Sequence, residues 1–470
     1  MSNKILSLIL ALALSFSIIS PVSAQTSIDY PVYIVQPGDT LLTIAARFGV
    51  PLTDIINLNR IQDQDFLSPG DSLLIPDLPE IQGTLTTVTV QIGETLDSFA
   101  QTYNASKPFI ILINRITSPS EIYAGASLII PVVDPNSLQA PYQVFRPDET
   151  LLEAAALSNV NPWQLTLSNQ IQNSTSILPG SLFFKKLAEG EKSLNPFDAA
   201  LTKVFVDPLP LMQGQTFEVK VDSSLPVTLE GTLAGNQLAF FSNGENKFLA
   251  LQGIHAMSQP GIYTFTLEGK YGNGKGFSFS QPVLLISGNY PKDTPLEVDP
   301  STIDPTVTKP EDDFVKNLVS ILTPIKYWNG IFVSPSTSLT YTSVFGVRRS
   351  FNGSDYTYFH SGLDFGGGVG LPITAPADGV VVFAGPLTVR GNATFIDHGW
   401  GVYSGFFHQS EIDVKVGDKV TKGQTLGLVG NTGRVNGSNE YPGAGAHLHW
   451  EVWVNGVQVN PFTWLNQQYP

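Results

Sequence analysis

Ala446-His447-Leu448-His449-Trp450-Glu451-Val452-Trp453, with the turn pair Asn455-Gly456 just after it, reads as a β-strand. Its residues are largely aromatic or β-branched, they alternate, and Asn-Gly is a strong signal for a tight turn. Strand side chains alternate between two faces, so His447, His449 and Glu451 share one face and Leu448, Trp450 and Val452 share the other. One face can enter a core while two imidazoles converge on one small object.

Upstream residues suit a metal as that object. His360-Ser361-Gly362-Leu363-Asp364 offers a neutral imidazole and a carboxylate, both zinc-type ligands. The i,i+4 spacing fits a helix face, but Gly362 and Gly366-Gly367-Gly368 favour a loop. His408 stands in Ser404-Gly405-Phe406-Phe407-His408-Gln409. Five of the six histidines of the chain fall in this C-terminal third, four of them in the segments just quoted. His255 and His398 are read as packed or hydrogen-bonded residues, with His398 in a turn, Asp397-His398-Gly399, before another strand.

Phe345-Gly346-Val347-Arg348, His360-x-x-x-Asp364, Phe406-x-His408 and His447-x-His449 occur here in the order found in LytM/lysostaphin-type zinc endopeptidases, which residues 331–468 resemble. The resemblance implies zinc held by His360, Asp364 and His449, with His408 and His447 facing the substrate as acid/base groups. The segment around His408 departs from the usual pattern, with Phe406 in place of Tyr and Gln409 in place of Leu. Some relatives of this family are inactive and act as regulators of other wall hydrolases. They typically lack zinc ligands, whereas this chain retains them. A purely adhesive wall protein is a third class, and neither it nor the regulator predicts one zinc per chain.

The 470 residues exceed one domain, and the net charge of −15 argues against nucleic acid or an anionic membrane as main partner. With 14% charged residues, much of the surface is neutral and polar, suited to work outside the cell on polar polymers. The absence of cysteine excludes disulfides, cysteine catalysis and a lipidated N-terminal cysteine. Residues 1–24 read as a secretory signal: Lys4, a short apolar run over 5–19, and Val22-Ser23-Ala24 before Gln25. The run is short for a span, and no later stretch is long and apolar enough to cross a membrane. The expected location is therefore secreted, extracytoplasmic or wall-associated.

Residues 32–187 hold three repeats with a period of 55: Thr40, Thr95 and Thr150 align, as do Asn59, Asn114 and Asn169, and Gly70, Gly125 and Gly180. In the first, a strand (32–35) leads to an acidic residue and a helix-capping Thr. Helices over 41–48 and 53–59 follow, then a Pro-Gly turn and a strand over 72–75. These βααβ units, residues 31–77, 86–132 and a degenerate 141–187, resemble LysM modules. That resemblance implies binding of N-acetylglucosamine-containing glycans such as peptidoglycan. The glycan-facing candidates lie around Gly38-Asp39-Thr40 and 57–61: Gly38, Asp39, Thr40, Asn59, Gly93, Thr95 and Asn114.

Residues 201–288 alternate cleanly in Thr216-Phe217-Glu218-Val219-Lys220-Val221 and between Ile262 and Glu268, with Gly-Asn and Pro-Gly turns. They predict a small β-sandwich, immunoglobulin-like, serving as a spacer or weak adhesion module. Residues 289–311, with Pro291, Pro295, Pro300, Pro305 and Pro310, predict an extended linker, and a short helix follows at 314–322, so that 289–330 joins the modules. Strands over 373–384, 392–397, 402–408 and 425–429 predict a mainly antiparallel β domain over 331–468. The chain is thus expected to be multidomain: three small α+β modules, a β-sandwich and a β catalytic domain that cuts the peptide part of peptidoglycan while the repeats hold its glycan.

Overall fold

The computed structural model describes residues 30–63, 67–78, 84–132 (apart from 104, 106, 119 and 120), 142–144, 150–157, 162, 165, 182–184, 200–435 and 445–470. The expected signal, residues 1–24, lies outside them, as do Asn169 and Gly180. Two compact units result, one with the first repeat and one with the second repeat, the sandwich and the C-terminal domain.

The first repeat runs Val32–Ile34, helix Leu41–Phe48, helix Leu52–Asn59 and strand Ser72–Leu74, the two strands antiparallel with Tyr33 opposite Leu73. The first helix starts at Thr40 because its hydroxyl accepts from the Thr43 amide while the Thr43 hydroxyl accepts from the Thr40 amide, a reciprocal cap. Gly49, in the left-handed region at φ 69°, ends that helix. Leu41, Ile44, Ala45 and Phe48 form the buried stripe. The second repeat follows the same order: Thr84–Thr89, Leu96–Thr102, Lys107–Asn114 and Ser127–Val132. Of the third, Tyr142–Val144 pairs with Leu182–Phe184, and Thr150 and Glu153 cap the helix Leu151–Leu157.

Residues 201–286 build two sheets, one of five strands and one of four, over a shared core that includes Val204, Phe217, Val219, Phe265 and Val283. The strand Lys247–Gly253 is buried on both faces: Ala250 enters this core, whereas Leu249 and Leu251 enter the core of the C-terminal domain beside Trp328, Phe332 and Trp464. Trp464 Nε1 donates to Thr216 Oγ1 at 3.1 Å. The expected spacer is therefore fused to its neighbour. Of the two alternating stretches, the outward residues Thr216 and Glu218 are buried, whereas Thr264 and Glu268 stay exposed.

The linker expectation is also corrected. Asp304 caps the helix α1 (Pro305–Val319), with Pro305 at its first position, where a missing amide hydrogen costs nothing. Residues 291–296 lie extended along 348–351 through isolated parallel bridges, Lys292 to Arg348 and Leu296 to Phe351. Val315 and Val319 of α1 pack on Phe395, Tyr403, Phe407 and Trp453, each burial contributing about 1.5 kcal/mol or more.

The C-terminal sheet comprises β1 (Tyr341–Ser343), β2 (Leu363–Gly366), β3 (Gly379–Leu387), β4 (Gly391–Gly399), β5 (Val402–Ile412), β6 (Lys419–Val420), β7 (Thr425–Val429) and β8 (His447–Val454). Its order is β1-β2-β8-β5-β4-β3-β6, with antiparallel neighbours, and β7 pairs with β5 and with Pro372–Thr374. The single strand expected over 373–384 is two strands, broken at 375–378. His398 lies in β4, not in a turn. The turn is Trp400-Gly401, both at positive φ (51° and 72°), the two-residue connection that matches strand twist.

Candidate metal centre

Leu448, Trp450 and Val452 of β8 are fully buried in the domain core, so His447, His449 and Glu451 face the other way. Register places Asp364 of β2 opposite His449, and Gly366 opposite His447. His360 precedes β2 in a loop rather than a helix. Gly362 is required there, because a side chain would strike the Trp450 carbonyl. Asp364 Oδ1 lies 2.9 Å from His360 Nε2 and 2.7 Å from His449 Nδ1, and those nitrogens are 3.0 Å apart. All three residues are buried.

The far ring nitrogens fix which atoms turn inward. His360 Nδ1 donates to the Val344 carbonyl at 2.9 Å, leaving the Nε2 lone pair free. His449 Nε2 faces Glu451 Oε1 at 3.4 Å, leaving Nδ1 inward. Glu451 in turn accepts from Trp453 Nε1 at 2.8 Å and Gln458 Nε2 at 2.9 Å. The Phe407 ring stacks on His449 with centroids 5.4 Å apart. A zinc ion with bonds of about 2.0–2.1 Å at tetrahedral angles separates its ligand atoms by roughly 3.3 Å, so the donor set fits such an ion.

The electrostatics match a cation. Burial pulls the His449 imidazole down, but the Asp364 and Glu451 carboxylates outweigh it and hold it up at about 9. Burial alone would raise Asp364, yet His360 and His449 hold its carboxyl well below the usual range. Burial lowers His360, only partly offset by Asp364.

His447 and His408 stand beside this cluster with ring centroids 4.8 Å apart. His447 Nε2 is 3.6 Å from Asp364 Oδ1, and its Nδ1 donates to the Gly445 carbonyl at 2.7 Å. His408 Nδ1 donates to the Thr432 carbonyl at 2.7 Å. His408 sits at φ 61° inside β5, where the ladder against β4 slips by one residue. This bulge in the left-handed region re-aims the imidazole. Burial, and then repulsion from His447 and His449, push His408 well below the ordinary histidine range. The five residues line one cavity of about 450 Å³ with Arg349, Arg390 and Arg434. Phe406 instead enters the core, and Gln409 is buried with its amide donating to Thr394 and to the Phe406 carbonyl.

His398 and His255 stay away from the cleft. Both nitrogens of His398 are committed, to the Asp378 carbonyl at 2.8 Å and Ser404 Oγ at 2.9 Å, and burial lowers it to about 4. Glu451 was legible only as a neighbour on the shared face. Its contact with His449 is one that alternation alone could have suggested. Arg349, which donates to Ser343 Oγ at 2.7 Å, carried no sequence signal beyond its charge.

The repeat candidates fare differently. Asn59 Nδ2 donates to the Ile55 and Leu74 carbonyls at 2.9 and 2.8 Å, and its Oδ1 accepts from the Leu74 amide at 2.7 Å. Asn114 makes the equivalent three bonds to Ile110 and Ile129. Asp39 accepts from Tyr33 Oη and the Gln36 amide and lies 3.2 Å from Arg47. These three side chains hold their modules together. Thr40 and Thr95 cap helices. Gly38 is open, with no atom within 4 Å of a built Cβ, whereas the Gly93 amide is buried and donates to Gln281 Oε1 of the sandwich at 2.6 Å. Gly125, also in the second repeat, abuts Pro210.

Residues 358–461 match the model of peptidase family M23, and residues 33–76 and 88–131 match the LysM domain model. The chain is 43% identical over 101 residues to peptidoglycan DD-endopeptidase ShyA of Vibrio cholerae, a stretch covering 22% of each chain. It is 36% identical over 130 residues to peptidoglycan DD-endopeptidase ShyC of the same organism, 28% of each chain. The match thus spans about a quarter of the length of these curated relatives. Among solved structures, the catalytic domain of the antimicrobial peptidase lysostaphin from Staphylococcus simulans is 27% identical, with a TM-score of 0.21 over 30% of this chain and 92% of that one. Residues 358–461 therefore form a domain of peptidase family M23, and two LysM domains precede it.

Proposed function

We propose that the protein is a secreted cell-wall hydrolase. On this reading it is a zinc-dependent endopeptidase that cleaves peptide bonds in peptidoglycan stems or cross-bridges. The observation that carries the reading is the convergence of His360 Nε2, Asp364 Oδ1 and His449 Nδ1 in a cleft that also holds two further imidazoles. These three residues would hold zinc, whose chemistry there is to activate water and polarise the scissile carbonyl. Three protein ligands leave a position open, as catalytic rather than structural sites do.

His408 and His447 would handle the protons. Each donates from Nδ1 to a backbone carbonyl, so in its neutral form each offers an Nε2 lone pair to the cleft. Burial and the neighbouring imidazoles hold His408 below the ordinary histidine range, which favours its neutral form. The same pair, once protonated, can steady the carbonyl oxygen or supply the leaving amine with its proton.

The relatives' names supply the substrate class: ShyA and ShyC are peptidoglycan DD-endopeptidases. LysM modules would hold the glycan and raise the local concentration of stem peptides without altering the cleft. The first repeat, with its Gly38 turn open, is the better glycan binder of the two matched repeats; the third is a degenerate copy of the same unit. The test is digestion of purified peptidoglycan by residues 25–470, with mass spectrometry of the fragments. New amino and carboxyl ends that vanish on chelation and return with zinc are expected. New reducing sugar ends, or no released fragments, would defeat the proposal.

A further inference from the structure

Three arginines line the cleft, and their charges are met unequally. Arg390 is answered twice, by Glu311 at 2.8 Å and Asp312 at 3.1 Å. Arg349 has its nearest carboxylate, Asp364, at 3.9 Å, and two imidazoles already claim that group. Its Nε is buried with no partner. Arg434 donates to the Thr302 carbonyl at 3.1 Å and lies over the Phe351 ring at 4.8 Å. Among the described residues no carboxylate forms an ion pair with it; Glu311 and Asp312 act on it only from a distance, are already engaged by Arg390, and are outweighed by burial and the neighbouring arginines. A carbonyl and a ring face stabilise a cation but do not neutralise it, and a cation drawn out of water without a counter-charge is costly.

We propose that Arg434, with Arg349 on the same cleft, forms a subsite for a free carboxylate of the substrate peptide. This rests on the peptidase reading and specifies its substrate: an acyl-donor or acyl-acceptor strand carrying an ionised carboxyl close to the scissile amide. A guanidinium presents paired donors in a plane, the geometry a carboxylate accepts. Phe351 and the Thr302 carbonyl fix the orientation of that plane, so little side-chain freedom is lost on binding. Arg434 and the metal cluster line one cavity of about 450 Å³. An extended chain advances about 3.3–3.6 Å per residue, so the recognised carboxylate belongs to a residue within about two of the bond cut. Asp312 also lines the cleft and would repel a dianion more than a singly charged carboxylate, which favours a carboxylate over a phosphate.

The test uses two matched cross-linked peptides, one with the free carboxylate beside the scissile bond and one with that group as carboxamide. Calorimetric binding to the full chain is measured alongside cleavage by the zinc-loaded protein. The carboxylate peptide should bind about 10–100-fold more tightly, the range of a charge-assisted hydrogen bond. Arg434→Gln should remove that preference and leave carboxamide binding unchanged, with the loss in KM rather than kcat. Arg434→Lys, which keeps the charge but not the planar fork, should retain part of it. Equal binding of both peptides by the wild type would overturn the subsite, as would an equal loss for both in Arg434→Gln. Cleavage of neither peptide would overturn the peptidase reading instead, while the binding comparison would still decide the subsite.

Discussion

In the cleft, the inward atoms of His360, Asp364 and His449 meet one another, with only His447 Nε2 also near, 3.6 Å from Asp364 Oδ1. In the first repeat, Asn59 recurs just as regularly in the sequence, yet its amide meets only its own module, at Ile55 and Leu74. Recurrence marks a demand in both places, but the demand differs. Where polar groups are brought together and left short of partners, the fold is holding a place for something else. Where every donor and acceptor is already used, the residue serves the fold. Glu451 stands between the two, since it is buried and saturated but its partner is a member of the cluster.

The sharpest way to break this contrast is to remove the cluster. His360→Ala, Asp364→Ala and His449→Ala should each bring zinc content close to zero and hydrolysis with it. That loss should exceed the roughly 10–100-fold typical of residues that only orient ligands. Metal analysis beside wall digestion reads both, and a variant that keeps zinc but loses activity would move that residue to the other class. His408→Ala and His447→Ala come next. They should leave zinc near one per chain while lowering turnover about 10²–10⁴-fold, the range of acid/base groups. If His447→Ala loses zinc and His449→Ala keeps it, the assignment within the pair is reversed.

The cleft was legible because a strand has a period of two, and that period alone separates His447 and His449 from Leu448 and Trp450. The asparagines show the limit of a repeat. A repeat shows which positions are constrained but not whether the partner is a ligand or the chain itself. The Asp304-Pro305 helix start was hidden by prolines that looked like a linker, although Asp followed by Pro is a capping signal. The second buried face of Lys247–Gly253 could not be read locally, because it depends on Trp464, more than 200 positions along the chain.

A smaller effect tests the saturated class within the catalytic domain. His398 is buried with both nitrogens bonded, and burial lowers it from 6.5 to about 4. Its folded pKa lies below its unfolded one, so the unfolded chain binds the extra proton first on acidification. The contribution is therefore complete above pH 6.5 and is lost as pH falls towards 4, amounting to about 3 kcal/mol. Urea unfolding at pH 7 and pH 4 should show this loss in the wild type and a smaller one in His398→Gln. Equal slopes for the two proteins would mean that His398 is not held neutral by the fold.

The mildest prediction bears on the repeats and has the most power against the contrast. Asn59→Ala removes three hydrogen bonds and leaves the Leu74 amide without its side-chain acceptor. Partial re-solvation offsets some of that, so the expected cost is about 2 kcal/mol. For a module this small, 2 kcal/mol is a large share of stability. It corresponds to hydrogen exchange at the Leu74 amide faster by about 30-fold. Sedimentation with insoluble peptidoglycan should scarcely change under conditions where the module stays folded, because no glycan contact has been removed. Asn114→Ala should loosen the second repeat in the same way at Ile129. The contrast fails if Asn59→Ala abolishes wall binding while Leu74 remains protected. Asn59 would then belong with the cleft histidines, as a group held in place for a ligand.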